Sequence, residues 1–290
     1  MSTHHRIDER TDHRRTVRLH RASSVALLLL SLLGLVAFGW PFVLEAGSDG
    51  EALSHGADAP WLFVLLLPLL VVVVLAQVAA GGLDAKAVAL LGMLAAVGGA
   101  LRALSPGAAG LEPSFAVIML GGRVFGRGFG FVLGCLSMLV GALITGGVGP
   151  WLPFQMVAAG WVGLLSGCLP GRARGRTEVA LLAALGAVLG LTYGALMNLW
   201  SWPFVDYGDG ISFEAGAGLA TNLAAYGRYY LATSLAWDLG RAVTTVLLLL
   251  VAGRPLLRAL RRTARLAALD ARPVFAPPLA PAVRDEVAAG

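Results

Sequence analysis

The sequence predicts an all-α polytopic membrane protein, and three observations carry that prediction. Of the 290 residues, 57% are hydrophobic and only 13% are charged, against roughly 25% charged in an average soluble chain. The mean hydropathy is +0.76. The apolar residues also fall into successive runs, many near the ~20 residues that a helix needs to cross the hydrocarbon layer. A soluble domain would lack the polar surface to cover such a core. Disorder and collagen are excluded by the abundance of Leu, Val and Ala and by the lack of a Gly period.

The runs lie at 23–44, 60–80, 85–104, 127–147, 151–169, 178–200 and 228–253, with one short apolar stretch at 114–125 (SFAVIMLGGRVF). Charge orders them. Arg6, Arg10, Arg14, Arg15, Arg18 and Arg21 precede the first run, which puts the N-terminus in the cytoplasm. The loop 45–59 carries Glu45, Asp49, Glu51 and Asp58 and no Lys or Arg, so it lies outside. Lys86 then starts the third run on the inside. If 114–125 crosses, Arg123, Arg127, Arg172, Arg174, Arg176 and the Arg254–Arg265 cluster all fall inside, and Asp206, Asp209 and Glu214 fall outside. If it does not cross, every later loop inverts. Eight crossings with both termini cytoplasmic therefore fit best. At 1.5 Å per residue the short crossing is only ~18 Å long, so its neighbours must shield it.

The ends read differently. Residues 1–22 form a basic cytoplasmic tail, and the Pro- and Ala-rich 266–290 reads as a disordered tail. The apolar run after the basic start is longer than a cleavable signal peptide requires, so 23–80 reads as two transmembrane helices. The net charge of +5 sits in tails and short loops, a pattern of membrane topology and not of a nucleic-acid face. Cys135 and Cys168 lie in apolar runs without CxxC spacing, and both read as buried small apolar residues.

Several chemistries are missing. All five histidines (His4, His5, His13, His20, His55) lie outside the spans, so haem ligation or histidine acid–base work within the membrane is not expected. There is no P-loop, no H-E-x-x-H and no G-x-S-x-G. The residues thus point to neither an ATPase nor a recognisable intramembrane enzyme.

Three features carry function candidates. Small residues recur every four positions in 85–104, as Gly92, Ala96 and Ala100 and as Ala85 and Ala89. Such a stripe suits either packing within the chain or close approach of a second protein's helix. In the last run, Asp238 sits about ten residues in, ~15 Å deep at helical rise, with Arg241 on the same face. Ionisable groups at such depth face a partner or a watery cavity, and the two residues fit a helix-locking pair or a substrate site. Near the outer face gather Glu112, Trp151, Gln155, Tyr193, Asn198, Trp200, Trp202, Tyr226, Tyr229 and Tyr230. They fit an interfacial aromatic belt or a small-molecule pocket, with the loop 201–227 long enough to fold over it.

From Ala85 onward the chain resembles the S component, the substrate-binding membrane subunit, of energy-coupling factor (ECF) vitamin transporters. The residues that carry the resemblance are AKAVALLGMLAAVGGALRAL, then EPSFAVIMLGGRVFGRGFGFVLGCLSMLVGALITGGVGPWLPFQMVAAGWVGLLSG, then AWDLGRAVTTVLLLLVAGRPLLRALRR. GPWLPFQM and WDLGRA are the most distinctive pieces. The resemblance implies a six-helix substrate-binding domain over 85–265, preceded by the two extra transmembrane helices. It implies a multi-pass protein of the cell membrane that binds a vitamin or related micronutrient from outside beneath an outer loop. It implies docking to a transmembrane coupling subunit driven by two ATPase subunits. The chain then needs no cofactor of its own, because the partner ATPases use ATP. Its other partners are the small-molecule vitamin and membrane lipid, with no nucleic acid. Carried over by position, the substrate-binding candidates are Gln155, Tyr193, Asn198, Trp200, Tyr230 and Asp238, and the docking candidates are Ala89, Gly92, Ala96 and Ala100. The Q-M and W-D-x-x-R-A blocks look most like cobalamin-type members. The rival readings are an assembly subunit without a ligand and a membrane-embedded enzyme.

Overall fold

Apolar runs with few polar side chains have one stable form away from water: the helix, which satisfies every backbone N–H and C=O within the segment. The computed structural model describes residues 21–43, 85–104, 110–204, 206–208, 210–214 and 216–266. In chain order its helices are α1 (Arg21–Val43), α2 (Ala85–Leu104), α3 (Ser114–Phe125), α4 (Arg127–Thr145), α5 (Leu152–Cys168), α6 (Gly175–Ser201), α7 (Leu219–Thr233) and α8 (Leu235–Leu266), with a 3₁₀ turn at Trp202–Phe204. The expected span 60–80, the loop 45–59 and the tails 1–20 and 267–290 lie outside the described residues. Among the described residues, four helices (α2, α4, α6 and α8) are long and apolar enough to cross a membrane, and α3 and α5 are shorter apolar helices.

The short stretch 114–125 is a helix of 12 residues, and ten of them are buried. Its neighbours shield it as the sequence requires. A single residue, Gly126, joins α3 to α4. Its φ of 101° is open to glycine and costly for side-chain-bearing residues. Its N–H closes α3 on the Gly122 carbonyl at 3.0 Å.

Glycine also sets how closely α3, α4 and α5 approach. A Cβ built on Gly122, Gly130 or Gly163 would overlap backbone atoms across the seam, where Gly122 and Gly130 both meet the Gly163 carbonyl. Backbone cannot move aside as a flexible side chain can. Gly163→Val is therefore expected to destabilise the chain by more than the ~1–3 kcal/mol typical of overpacking. The check is thermal unfolding in detergent, and an unchanged midpoint would contradict this packing. A second seam runs along α6 at helical spacing. Gly186 faces Thr245, Gly190 faces Ala242, and Gly194 faces the Asp238 carboxylate of α8.

On α2 one face is buried through Ala87, Leu90, Leu91, Leu94, Ala95, Gly98 and Gly99. Ala89, Gly92, Ala96 and Ala100 are exposed on the other face. α1 packs on α5. Phe38 meets Phe154 edge-on at 5.2 Å and Trp161 at 5.9 Å, and the Trp161 indole donates to Ser31 at 3.0 Å.

The arginine-rich ends converge. Glu178, only 1% exposed, accepts from Arg123 of α3 at 2.5 Å and from Arg261 of α8. Arg123 also donates to the carbonyls of Leu169, Pro170 and Ala173 at 2.9–3.1 Å. We call this the arginine end, and the opposite one the lid end.

Two expectations are corrected. The last span does not run over 228–253. The helix breaks at Ser234, with α7 before it and α8 extending to Leu266. The break follows from local chemistry, since the Thr233 hydroxyl turns back to the Tyr229 carbonyl at 2.7 Å and Ser234 leaves helical geometry as the C-cap of α7. Hydropathy alone cannot see such a break. Cys168, expected to be buried, is exposed, whereas Cys135 is buried. Gly167, next to Cys168, turns its face to the backbone of Arg127 and Gly122, which directs the following side chain outward.

Candidate functional site

The segment 201–227 is not a bare loop. Trp202 is fully buried and gathers Ala225, Tyr229, Tyr226, Ile211, Phe213 and Phe42 of α1 into a second small core. Its indole donates to the Ile211 carbonyl at 2.8 Å. Asn222 clamps the turn beside it, donating to the carbonyls of Glu214 and Ala217 and accepting from the Glu214 N–H at 3.1 Å. Arg228 holds the Gly210 carbonyl at 2.7 Å. The Ser212 hydroxyl and the Gly208 N–H hold the Asp206 carboxyl below the usual carboxylate range. That turn is thus kept at neutral pH and loosens as the pH falls through the lowered value. The described residues of the segment thus have an interior of their own, and we call the segment, with α7, the lid. It rests on α6 through the Tyr226 hydroxyl on the Ala195 carbonyl and the Tyr230 hydroxyl on the Leu191 carbonyl at 3.5 Å.

At the same end of the bundle lies a chain of buried and half-buried polar groups. Arg102, in the last turn of α2, donates to Glu112 at 3.1 Å and to Gln155 of α5 at 2.9 Å, and it lies 3.1 Å from the Met138 sulfur. Ser114, which opens α3, donates to the other oxygen of Glu112 at 2.6 Å. Tyr193 of α6 is buried with its hydroxyl 4.0 Å from the same sulfur and Phe115 edge-on at 5.0 Å. Arg241 of α8 covers the Tyr193 ring, its guanidinium carbon 5.0 Å from the centroid, within the range where a cation is drawn to the ring face. Arg241 pairs with Asp238 and also donates to the Gly190 carbonyl at 3.2 Å. Two ion pairs therefore stand on either side of one tyrosine.

Of the six substrate candidates, Gln155, Tyr193 and Asp238 belong to this chain, Asn198 and Tyr230 lie beside it, and Trp200 lies apart. Gln155 joins the chain through Arg102, and Tyr193 is its centre. Asp238 and Arg241 close its α8 side. Asn198 continues the Gly186–Gly190–Gly194 face toward the lid, and its amide nitrogen has no partner among the described residues. Tyr230 approaches Asp238 from α7. Burial and that carboxylate push its hydroxyl up to about 12, which keeps it a donor at neutral pH. Trp200 stands apart, packed on Phe154 at 5.6 Å and Trp151 at 6.4 Å. It shares the α5 side with Gln155.

One depth is corrected. Asp238 is not ten residues into its helix but in the first turn of α8, because the helix starts at Leu235. It is nonetheless 2% exposed, since Gly194 leaves room for its carboxylate and α7 lies above. The first turn of a helix also favours negative charge. The four docking candidates lie on the exposed side of α2, and nothing stands within 4 Å of a Cβ built on Gly92.

Sequence reasoning missed Arg102 and Met138. Arg102 had a readable signal. It is a lone basic residue at the outer end of its run, where the charge rule disfavours it, so it needs a reason to be there. Met138 had none, because a methionine in an apolar helix is ordinarily packing.

A family model described as the ECF transporter substrate-specific component matches residues 86–253, more than half of the chain, from the start of α2 into α8. No similar curated protein and no similar solved structure was found. The match takes in the helices that hold the polar chain and the folded segment beside it, and the chain belongs to the family of substrate-specific components of ECF transporters.

Proposed function

We propose that this chain captures a vitamin or related micronutrient at the lid end and delivers it inward while docked to its transporter. The observation that carries this reading is the buried and half-buried polar chain Arg102–Glu112–Gln155–Tyr193–Arg241–Asp238 at the same end as a lid with its own core. Buried charges are costly and are retained where they serve specificity or a site. Few polar groups among aromatic walls are what a small-molecule site uses. The lid end is the outer one, because the arginines gather at the other end and mark the cytoplasm. The protein then resides in the cell membrane as a multi-pass subunit with both termini inside. Family membership implies association with a transmembrane coupling subunit and ATPase subunits. The exposed stripe Ala89, Gly92, Ala96 and Ala100 suits helix-to-helix docking. The substrate placed first is cobalamin, on the likeness of the Q-M and W-D-x-x-R-A blocks, and the long lid suits a bulky ligand.

Titration tests the site. Trp200→Ala and Asn198→Ala are each expected to weaken binding of the vitamin that the wild type takes up by roughly tenfold, about 1.4 kcal/mol; Trp200→Ala also lowers the unfolding midpoint, because it removes packing on Phe154 and Trp151, so affinity is read per folded molecule. Unchanged affinity in both variants would move the site away from the lid end.

A further inference from the structure

The lid core draws one residue from outside its own segment. Trp202, Ile211, Phe213, Ala225, Tyr226 and Tyr229 all lie within 202–229, and the remaining member among the described residues is Phe42 of α1. The Phe42 ring stands 6.2 Å from the Trp202 ring, tilted by 37°. Phe213 and Tyr226 meet Trp202 edge-on at 5.4 and 5.2 Å. Trp202 follows α6 directly and donates to the Ile211 carbonyl, a bond that holds only while the indole keeps one orientation. The lid therefore closes around a side chain that α1 also touches.

The sequence of α1 places Phe42 there. Leu27, Leu30, Gly34, Phe38 and Phe42 recur every three or four residues, which puts them on one side of a helix. Leu27, Leu30 and Phe38 are buried in the main core. A Cβ on Gly34 would stand 2.7 Å from Val157 of α5, so the two helices approach closely at that turn. Phe38 packs on Phe154 and Trp161, and Trp161 donates to Ser31. Phe42 is the next turn of the same face. It is thus fixed to the bundle through α5, and Phe154 of that contact adjoins Gln155 of the polar chain. α1 also lies wholly before the residues 86–253 that the family model matches, so this tie is added to the matched bundle from outside it.

We infer that α1 is a fixed post for the lid and that Phe42 is a positioning residue. It holds the Trp202 indole as the seat on which Phe213, Tyr226 and Tyr229 rest, and it thereby slows the lifting of α7. The inference rests on the reading that substrate lies at the lid end, and it adds what governs opening there. The lid's hydroxyl bonds to the Ala195 and Leu191 carbonyls can be replaced by bonds to water as the lid lifts. Ring contacts have no such replacement, because parting them exposes apolar surface. Without the Phe42 ring, the indole gains room to turn and the lid loses its seat.

Hydrogen exchange on the full purified chain without ligand tests this. In Phe42→Ala the amides of α7 are expected to exchange about tenfold faster than in the wild type, with α4 and α5 unchanged because Gly34 and Phe38 still seat α1. Phe42→Tyr keeps the ring and should exchange as the wild type does. If the alanine variant does not purify, Phe42→Leu carries the same test with a smaller shift, about threefold. Unchanged α7 exchange would overturn the inference. So would an equal rise in α4 and α5, which marks general loosening. Release of cyanocobalamin reads the consequence for the site, and about tenfold faster release is expected from the alanine variant. Faster α7 exchange with unchanged release would overturn the lid-end reading of the substrate while the role of Phe42 stands. A wild type that does not bind cyanocobalamin leaves the exchange to decide.

Discussion

Changing Gly92 and Ala96 together to leucine is expected to abolish recovery of the complex with the coupling subunit. Vitamin binding and the unfolding midpoint should stay as in the wild type. Both residues lie on the exposed face of α2, and nothing within 4 Å meets a Cβ built on Gly92, so leucine adds no clash inside the chain. Helices associate within lipid chiefly by close packing, because lipid tails are as apolar as leucine. Two added isobutyl groups on a smooth stripe hold the partner helix away and remove those contacts. Co-purification through a tagged coupling subunit reads the effect. Full recovery of the double variant would remove this face of α2 from the docking surface.

The second large effect is on stability. Glu178→Ala is expected to destabilise the chain by about 3–5 kcal/mol, the usual cost of leaving buried charge without its partner. Glu178 is the shared acceptor of Arg123 and Arg261, and the Arg123 side chain is only 7% exposed. The alanine variant strands Arg123 against the Leu169, Pro170 and Ala173 carbonyls. It also unties α3, α6 and α8 at the arginine end. Glu178→Gln keeps an acceptor oxygen and should cost less. Chemical unfolding in detergent measures both, and an alanine variant within about 1 kcal/mol of the wild type would contradict this role.

How far the sequence carried can be judged residue by residue. The positive-inside rule acts on side-chain charge alone, so it separated the two ends without any knowledge of packing. Arg123, Glu178 and Arg261 do meet at the arginine end. The short stretch 114–125 was read as a crossing because otherwise the later arginine clusters would fall outside, and the structure makes it a buried helix. Its burial followed from its length. A covering loop at 201–227 was legible, but its helix α7 and the break that sets it apart were not. The run 228–253 is apolar through Ser234, and the break there depends on hydroxyl-to-carbonyl bonds that hydropathy does not register. That one error moved Asp238 from an expected depth of ~15 Å to the first turn of α8.

The site was half legible. Gln155, Tyr193 and Asn198 stood out as polar groups in apolar helices. The Asp238–Arg241 spacing left open whether the two residues pair or face a ligand. The structure has them pair, yet leaves Oδ2 and Nε open. The Gly186–Gly190–Gly194 seam was hidden among 38 glycines. Only the approach of α8 distinguishes those that need to be glycine from those that do not.

The most direct measurement is mass spectrometry of small molecules released from the detergent-purified chain, followed by titration of whatever appears. A substrate-specific component that binds on its own should release a vitamin in stoichiometric amount and rebind it without coupling or ATPase subunits present. A chain that purifies empty and ignores a panel of vitamins would contradict the account, reducing the family match to a statement about fold.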